Sequence, residues 1–419
     1  MIKNIHLRYM ERLCKHNFLF LGRFYPKGIV QSINENSKGK VGFSNHNFEL
    51  SIIYGLEQQA INLRVLTVPE VYSWPHNNKK IYTKSECYND NNTPIKSAGF
   101  LNVFIVNKIN VLLSAFLNLL KQYRQFEGEQ VHVIANAPNV FLLLALKLSR
   151  KFTKKCIDVT VIIPDIPSMV SQIHERKGIK GKIVGWFDKY SIRLLGRCER
   201  HVLLTEAMTE FFDKPIRHIV MEGLIDERKY SAVQTEFNSD KRIILYTGSV
   251  HRQFGIMNLV DAFKEASLPD DVELWICGSG DCFADLKKIS ERNNRIKFLG
   301  LVDSNTAKDL QLKAALLANP RTSERSYTKY SFPSKTLEYM MTGKPVVMNH
   351  LPGIPDEYFK YVITPKDESI QQWAVTLSEL MSEKYEESIC KGIQGLEYVL
   401  NNKNAKKQME RVVDFITEE

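Results

Sequence analysis

The chain has no CxxC pair and no cluster of Cys and His at zinc-ligand spacing. Its seven cysteines (Cys14, Cys87, Cys156, Cys198, Cys277, Cys282 and Cys390) are dispersed, which excludes a zinc module and a disulfide framework. Most lie in apolar contexts, which predicts buried reduced thiols and a cytoplasmic setting. Long apolar runs are missing as well. The greasiest segment, 101–120, is broken by Asn107, Lys108 and Asn110, so no bilayer-spanning helix is expected. Phe18-Leu19-Phe20-Leu21 is too short for a secretory core and no small-residue cleavage site follows, so no leader is expected. There is no tight internal repeat, no low-complexity tract and no recognisable RNA- or DNA-binding module. Gly278-Ser279-Gly280 is followed by Phe283 where a dinucleotide fingerprint needs its third glycine, so that fingerprint fails.

What is present is material for two cores. At 419 residues, 44% apolar and 25% charged, the chain predicts two domains of globular composition. A net charge of +10 favours acidic partners, whether phosphorylated metabolites, nucleic acid or anionic lipid. With no module to read it, nucleic acid ranks low.

Strand and helix patterns alternate along most of the length. Apolar runs predict strands near 17–24, 63–68, 101–106, 131–135, 157–163 and 201–204, with helices near 110–125, 139–151 and 206–212. Residues 72–98, rich in Asn, Lys, Pro and Ser, read as a long mobile loop. After a polar linker at 227–241 the rhythm restarts, with strands near 242–247, 273–277, 296–299, 315–318 and 345–348. Helices lie between them near 256–266, 283–292, 304–313 and 334–342. This is the α/β pattern of two doubly wound parallel sheets in tandem. The expected division is 1–225, 226–395, and a terminal helical segment 396–419 packing back on the first domain, with Met409, Val412, Val413 and Ile416 on one stripe. Sheets of this kind bind ligands at the carboxyl ends of their strands, which predicts a cleft between facing domains.

The stretch 330–347 concentrates the chemistry. Ser331 can cap a helix, Pro333 fits its first turn, and Gly343 with Pro345 ends it before a short strand. Ser334, Lys335 and Thr336 then stand at the helix start, where amide groups and an ammonium can meet a phosphate. Glu338 lies one turn deeper, placed to accept from a pair of sugar hydroxyls. Phosphate followed by diol describes a nucleotide. Two more strand ends carry glycine. Gly248 after 242–247 lets backbone approach a ligand, with Ser249 beside it and Arg252 able to grip a diphosphate bidentately. Gly278 and Gly280 form the second turn, and the edge Phe298–Val302, with Leu301 and Val302, can border a nucleobase.

Taken together, Tyr246-Thr247-Gly248…Gly255, Gly278-Ser279-Gly280, Phe298-Leu299-Gly300, Asn319-Pro320 and Phe332-Pro333-Ser334-Lys335…Glu338-Tyr339-Met340…Gly343-Lys344-Pro345-Val346 resemble the donor-binding half of the family-four, group 1 retaining glycosyltransferases of the GT-B fold. The first half agrees more loosely, through Asn17–Phe24 with its Gly22 turn, expected at the donor, Leu203–Met208, and Glu222-Gly223-Leu224-Ile225-Asp226 at the hinge.

The resemblance implies two Rossmann-like domains and a nucleotide-diphosphate-sugar donor. It also implies transfer with retention, in which the leaving phosphate takes the acceptor proton, and no metal or other cofactor. By position, Glu338 holds the ribose hydroxyls, Ser334 and its neighbours meet the phosphates, and Phe298–Val302 reads the base. Three positions depart from the family pattern. Tyr330 stands where the first acid of the Glu-x7-Glu pair belongs, Ser249 where an arginine does, and Phe254 where a lysine does. Arg252 and Lys335 are the cations expected to compensate, since stabilising the leaving group without metal needs positive charge.

Acceptor candidates come from the first half. Asp165 in Ile163-Pro164-Asp165-Ile166-Pro167 follows a strand and can orient or deprotonate an acceptor hydroxyl; an Asp paired with Pro in a turn explains it equally well. His46 and Asn47 stand at a helix start on the same side, as acceptor contacts or as ordinary caps. Residues 176–200 interleave Arg176, Lys177, Lys180, Lys182, Lys189 and Arg193 with Ile183, Trp186 and Phe187. They read either as a face for an anionic membrane beside a lipid-linked glycan acceptor or as a core helix with a solvated basic side. The leading reading is a peripheral enzyme of cell-surface polysaccharide assembly on the inner face of the membrane. A non-catalytic binding subunit of the same fold and a nucleotide-sugar epimerase are the alternatives.

Overall fold

The computed structural model describes residues 16–26, 29–38, 44–88, 91, 93–104, 106–166, 179–230 and 241–418. The chain divides into two compact units, the first running to Leu224 and resuming at Ala405, the second spanning Ile225–Asn404.

The first unit is built on β1 (Asn17–Gly22), β2 (Asn62–Thr67), β3 (Ile81–Tyr82), β4 (Ser85–Tyr88), β5 (Pro94–Ser97), β6 (Phe100–Leu101), β7 (Gln130–Asn136), β8 (Cys156–Ile163), β9 (Arg200–Leu203) and β10 (His218–Val220). Eight of these form one sheet in the order β10-β9-β8-β7-β1-β2-β5-β4. Every residue of β1 is buried, as a central parallel strand covered on both faces must be. Its register sets Phe18 between Leu63 and His132.

Two sequence expectations fail in this unit. The strand expected at 101–106 is only Phe100–Leu101, which pairs with Ile81–Tyr82 apart from the main sheet, and a helix begins at Val106. The buried Asn102 side chain cuts the strand short, because its amide donates to the carbonyls of Tyr72 and Lys79. The presumed loop 72–98 also supplies β5, parallel to β2, and β4, antiparallel at the sheet edge. Its polar composition is that of an edge hairpin, in which Ile95 and Ser97 face inward and Pro94 and Lys96 do not.

The second unit holds β11 (Arg242–Thr247), β12 (Val272–Cys277), β13 (Ile296–Gly300), β14 (Leu316–Asn319) and β15 (Val346–Met348), all parallel, in the order β13-β12-β11-β14-β15. The helices between them fall close to the expected ranges, because their apolar residues repeat at helical spacing. Ile256, Leu259, Val260 and Phe263 of the helix Ile256–Glu265 pack on Ile244, Leu274 and Trp373.

The return to the first unit starts later than expected. The helix Tyr385–Asn402 stays with the second unit, and only Ala405–Thr417 returns. Met409, Val412, Val413 and Ile416 are buried there and pack with Ile52, Ile53 and Leu56 of the helix Ser44–Glu57. The cysteines correct another expectation. Among the described residues Cys277 and Cys282 are buried, whereas Cys156 and Cys390 are exposed; none is in a disulfide.

Candidate functional site

At the carboxyl end of β11 the helix Lys335–Met340 is fixed by one phenol. The Tyr339 hydroxyl accepts from the Thr247 N–H at 2.9 Å and lies 3.3 Å from the Thr247 carbonyl and hydroxyl oxygens. Tyr339 is fully buried. Thr247 Oγ1 accepts in turn from Gln311 at 2.8 Å. Lys335 precedes Tyr339 by four residues and shares its helix face, so the anchor aims the lysine at the next residue of the strand. A Cβ built on Gly248 would fall 1.7 Å from Lys335 Nζ, and Gly248 has φ of +139°; only glycine leaves this space. The ammonium also lies 5.1 Å from the ring centre of Tyr246. Burial pushes the lysine pKa down to about 8, with Glu338 pulling it up and Arg321 pushing it further down. Tyr339→Phe leaves the buried Thr247 amide without a partner. It is expected to lower unfolding stability by roughly 1–3 kcal/mol, measured by urea titration.

The start of this helix differs from expectation. Ser331 does not cap it, since its Oγ accepts from Arg321 Nη2 at 3.0 Å. Ser334, exposed, precedes the helix with helical dihedrals and no side-chain capping bond, and the Thr336 N–H donates to Pro333 O. Thr336 is buried, with an unpartnered hydroxyl. Glu338 is half-buried, close enough to raise the pKa of Tyr230 and to attract Lys335.

Arg252, expected to grip the diphosphate, lies on the turn Arg252–Phe254 after β11. It is exposed, its Nη2 bonds Asp285 at 2.8 Å and its N–H bonds Asp281 at 2.8 Å. Ser249 is exposed, and its carbonyl accepts from the Tyr246 hydroxyl at 2.7 Å. The turn glycines are accounted for by packing. A Cβ on Gly278 would reach the Gly248 carbonyl at 1.6 Å, and one on Gly280 the Val250 backbone at 2.5 Å. Leu301 is exposed and Val302 half-buried, beyond the edge-to-face pair Phe283–Phe298.

In the first unit, the acid that organises the strand ends is Glu49, which the sequence reading passed over. It is fully buried. Its Oε2 accepts from the amides of Arg23 (2.7 Å) and Phe24 (2.8 Å), its Oε1 from Asn45 (3.0 Å) and Asn136 (2.9 Å). Burial raises its pKa against the pull of those donors. Gly22, expected at the donor, makes room for this carboxylate, since a Cβ there would sit 2.4 Å from Oε2. Glu49 falls on the apolar spacing of Ile52, Ile53 and Leu56, and an acid on a core-facing stripe was the available signal. His46 Nδ1 accepts from the Tyr25 amide at 3.2 Å and its ring stacks on Tyr25. Asn47 is exposed, with its carbonyl accepting from Ser51. Asp165 is exposed just past β8. Among the described residues no group of three or more His, Cys, Asp or Glu could hold a metal ion.

Two tandem α/β units, each built on a largely parallel sheet, are the architecture of the GT-B fold. Sucrose-phosphate synthase from Thermosynechococcus elongatus covers 96% of this chain and 98% of its own with a TM-score of 0.64 at 12% identity. Anabaena HepE, solved with UDP and glucose, covers 96% and 100% with a TM-score of 0.59 at 13% identity. At such identities the likeness is one of fold. Residues 241–383 match the family described as Glycosyl transferases group 1. An uncharacterized glycosyltransferase of Methanocaldococcus jannaschii is 28% identical over 162 residues, 37% of this chain and 39% of that protein. The match therefore spans about two fifths of that relative.

Proposed function

We propose that the protein transfers a sugar from a nucleotide-diphosphate-sugar to a glycan acceptor, with retention and without a metal. The observation that carries this is the Lys335 ammonium, enclosed against Gly248 and Tyr246 with its pKa pushed down to about 8 by burial. Burying a cation is unfavourable unless an anion comes to meet it, and a diphosphate is the anion assigned to it, in keeping with the match of residues 241–383 to group 1 glycosyl transferases. Glu338, one turn along, is the acceptor for the ribose hydroxyls, and the exposed Leu301 with Val302 is the border of the base.

The reaction needs little else. The acceptor oxygen bonds the anomeric carbon on the face the diphosphate leaves. The C–O bond to phosphate breaks with its electron pair going to the phosphate oxygen, and that oxygen takes the acceptor's proton. Lys335 neutralises the charge developing there. The acceptor is assigned to the first unit, with Asp165, His46 and Asn47 as its contacts.

Peripheral binding beside a lipid-linked acceptor rests on the helix Ile179–Leu195. It exposes Ile183, Trp186 and Phe187 next to exposed Lys182, Lys189 and Arg193, and Trp186 stacks on Tyr190 with centroids 5.6 Å apart. Arg176 and Lys177 lie outside the described residues, and among the described residues no helix is long and apolar enough to cross a membrane.

Incubation with a panel of labelled nucleotide sugars tests the reading. Slow donor hydrolysis, or transfer to added glycan, is expected. An epimerised donor with no nucleotide released, or bound donor that stays intact, would overturn it. Glu338→Ala is expected to weaken nucleoside-diphosphate binding about tenfold, the loss of a charge-assisted hydrogen-bond pair, with an unchanged circular dichroism spectrum. An unaltered dissociation constant removes the ribose assignment.

A further inference from the structure

One ammonium at Lys335 leaves part of a diphosphate's charge unneutralised. Ser249 and Phe254 occupy the positions where the resembling family carries an arginine and a lysine, and Arg252 is exposed and already paired with Asp285. We propose that Arg321 binds the donor's diphosphate, supplying from the loop after β14 a cation in place of the arginine and lysine absent at Ser249 and Phe254. This inference rests on the proposed nucleotide-sugar donor and names a residue for it that the sequence reading did not.

The geometry that supports it starts with Gly255. It has φ of +74°, and a Cβ there would fall 2.1 Å from the carbonyl oxygen of Pro320, so the two loops lie backbone against side-chain-free backbone. That approach sets Phe254 beside Arg321, whose Cζ is 5.6 Å from the Phe254 ring centre. Tyr327 provides a second ring at 5.1 Å. The Asn349 amide holds the backbone from beneath, donating to the carbonyls of Pro320 (3.4 Å) and Arg321 (3.0 Å). A guanidinium stacked on aromatic rings is held without using up its donors. One donor, Nη2, goes to the Ser331 hydroxyl, while Nε is buried with no partner. The Tyr327 hydroxyl is likewise buried and unpartnered. Unmade hydrogen bonds of this kind are costly and call for an acceptor.

Arg321 also lies close enough to Lys335 to oppose its protonation. Two cations brought together repel unless an anion separates them, and the multiply charged diphosphate suits both. The residue standing in the position of the family's lysine thus becomes the surface on which the replacement arginine rests.

The test is calorimetric titration of the full chain with UDP, GDP, ADP and CDP, each beside its nucleoside. Arg321→Gln is expected to weaken the best-bound diphosphate at least about tenfold and to leave its nucleoside unchanged. Arg321→Lys, which keeps charge and size, should fall between, and serves should the glutamine variant not fold. Restoring a lysine in the double variant Arg321→Gln, Phe254→Lys is expected to recover most of the lost affinity. Wild-type-like diphosphate binding by Arg321→Gln, or equal loss of diphosphate and nucleoside, overturns the assignment. A double variant no better than the single overturns the relocation of charge. A wild-type chain that binds none of the four diphosphates overturns the donor reading itself, a result distinct from the others.

Discussion

Lys335→Ala is expected to lower sugar transfer on the order of 10²–10³-fold, the loss associated with removing one group that stabilises developing charge. Folding should survive it. The ammonium's pKa is about 8 in the folded chain against 10.5 for an ordinary lysine, so its charge opposes folding. Between those two values the unfolded chain binds more protons than the folded one, and this group makes stability rise with pH across that window. The alanine variant loses that rise and should be no less stable than the parent at neutral pH. Diphosphate affinity has the opposite trend. The wild type should bind progressively more weakly as pH climbs past about 8 and the unliganded lysine loses its proton, and Lys335→Ala should show no such limb. Calorimetric titrations at pH 7 and 9, set beside urea melts at the same values, separate the two effects. A variant as active as the parent removes Lys335 from the site.

Glu49→Ala should cost the most stability, on the order of 4 kcal/mol by urea titration, because it strands buried donors and opens a cavity. The carboxylate collects the amides of Arg23 and Phe24 and the side chains of Asn45 and Asn136, so its loss frees the turn that leaves β1. Glu49→Gln keeps the volume but turns one oxygen into a donor facing other donors. It should recover only part of the loss. Neither change touches the second unit, so nucleoside-diphosphate affinity below the unfolding transition is expected to stay at the parent value.

The second unit was the more legible in the sequence. Its strands run as short apolar blocks between amphipathic helices, and Val272–Cys277 and Ser304–Lys313 fall within a residue of their expected limits. The first unit hides its edge, because Ser85–Tyr88 and Pro94–Ser97 are short and polar, the latter burying only Ile95 and Ser97, and so read as loop. Motif reading found Lys335 and Gly248, which it kept in separate segments. It did not show that Tyr339 ties them together, since a phenol in a helix looks like core until its hydroxyl is traced to Thr247. It also placed the compensating charge on Arg252 and Lys335, without showing that the exposed Arg252 guanidinium pairs with Asp285 of another helix. Arg321 follows Asn319-Pro320 at a strand's carboxyl end, a position that pattern alone gives no reason to prefer.

The polypeptide leaves the first unit after Leu224 and comes back at Ala405, and at that junction the Ile225 amide bonds the Lys403 carbonyl at 2.9 Å. Entry and exit of residues 225–404 are therefore neighbours. A segment whose two ends meet is a cassette, open to exchange by recombination while the first unit and its last helix are kept.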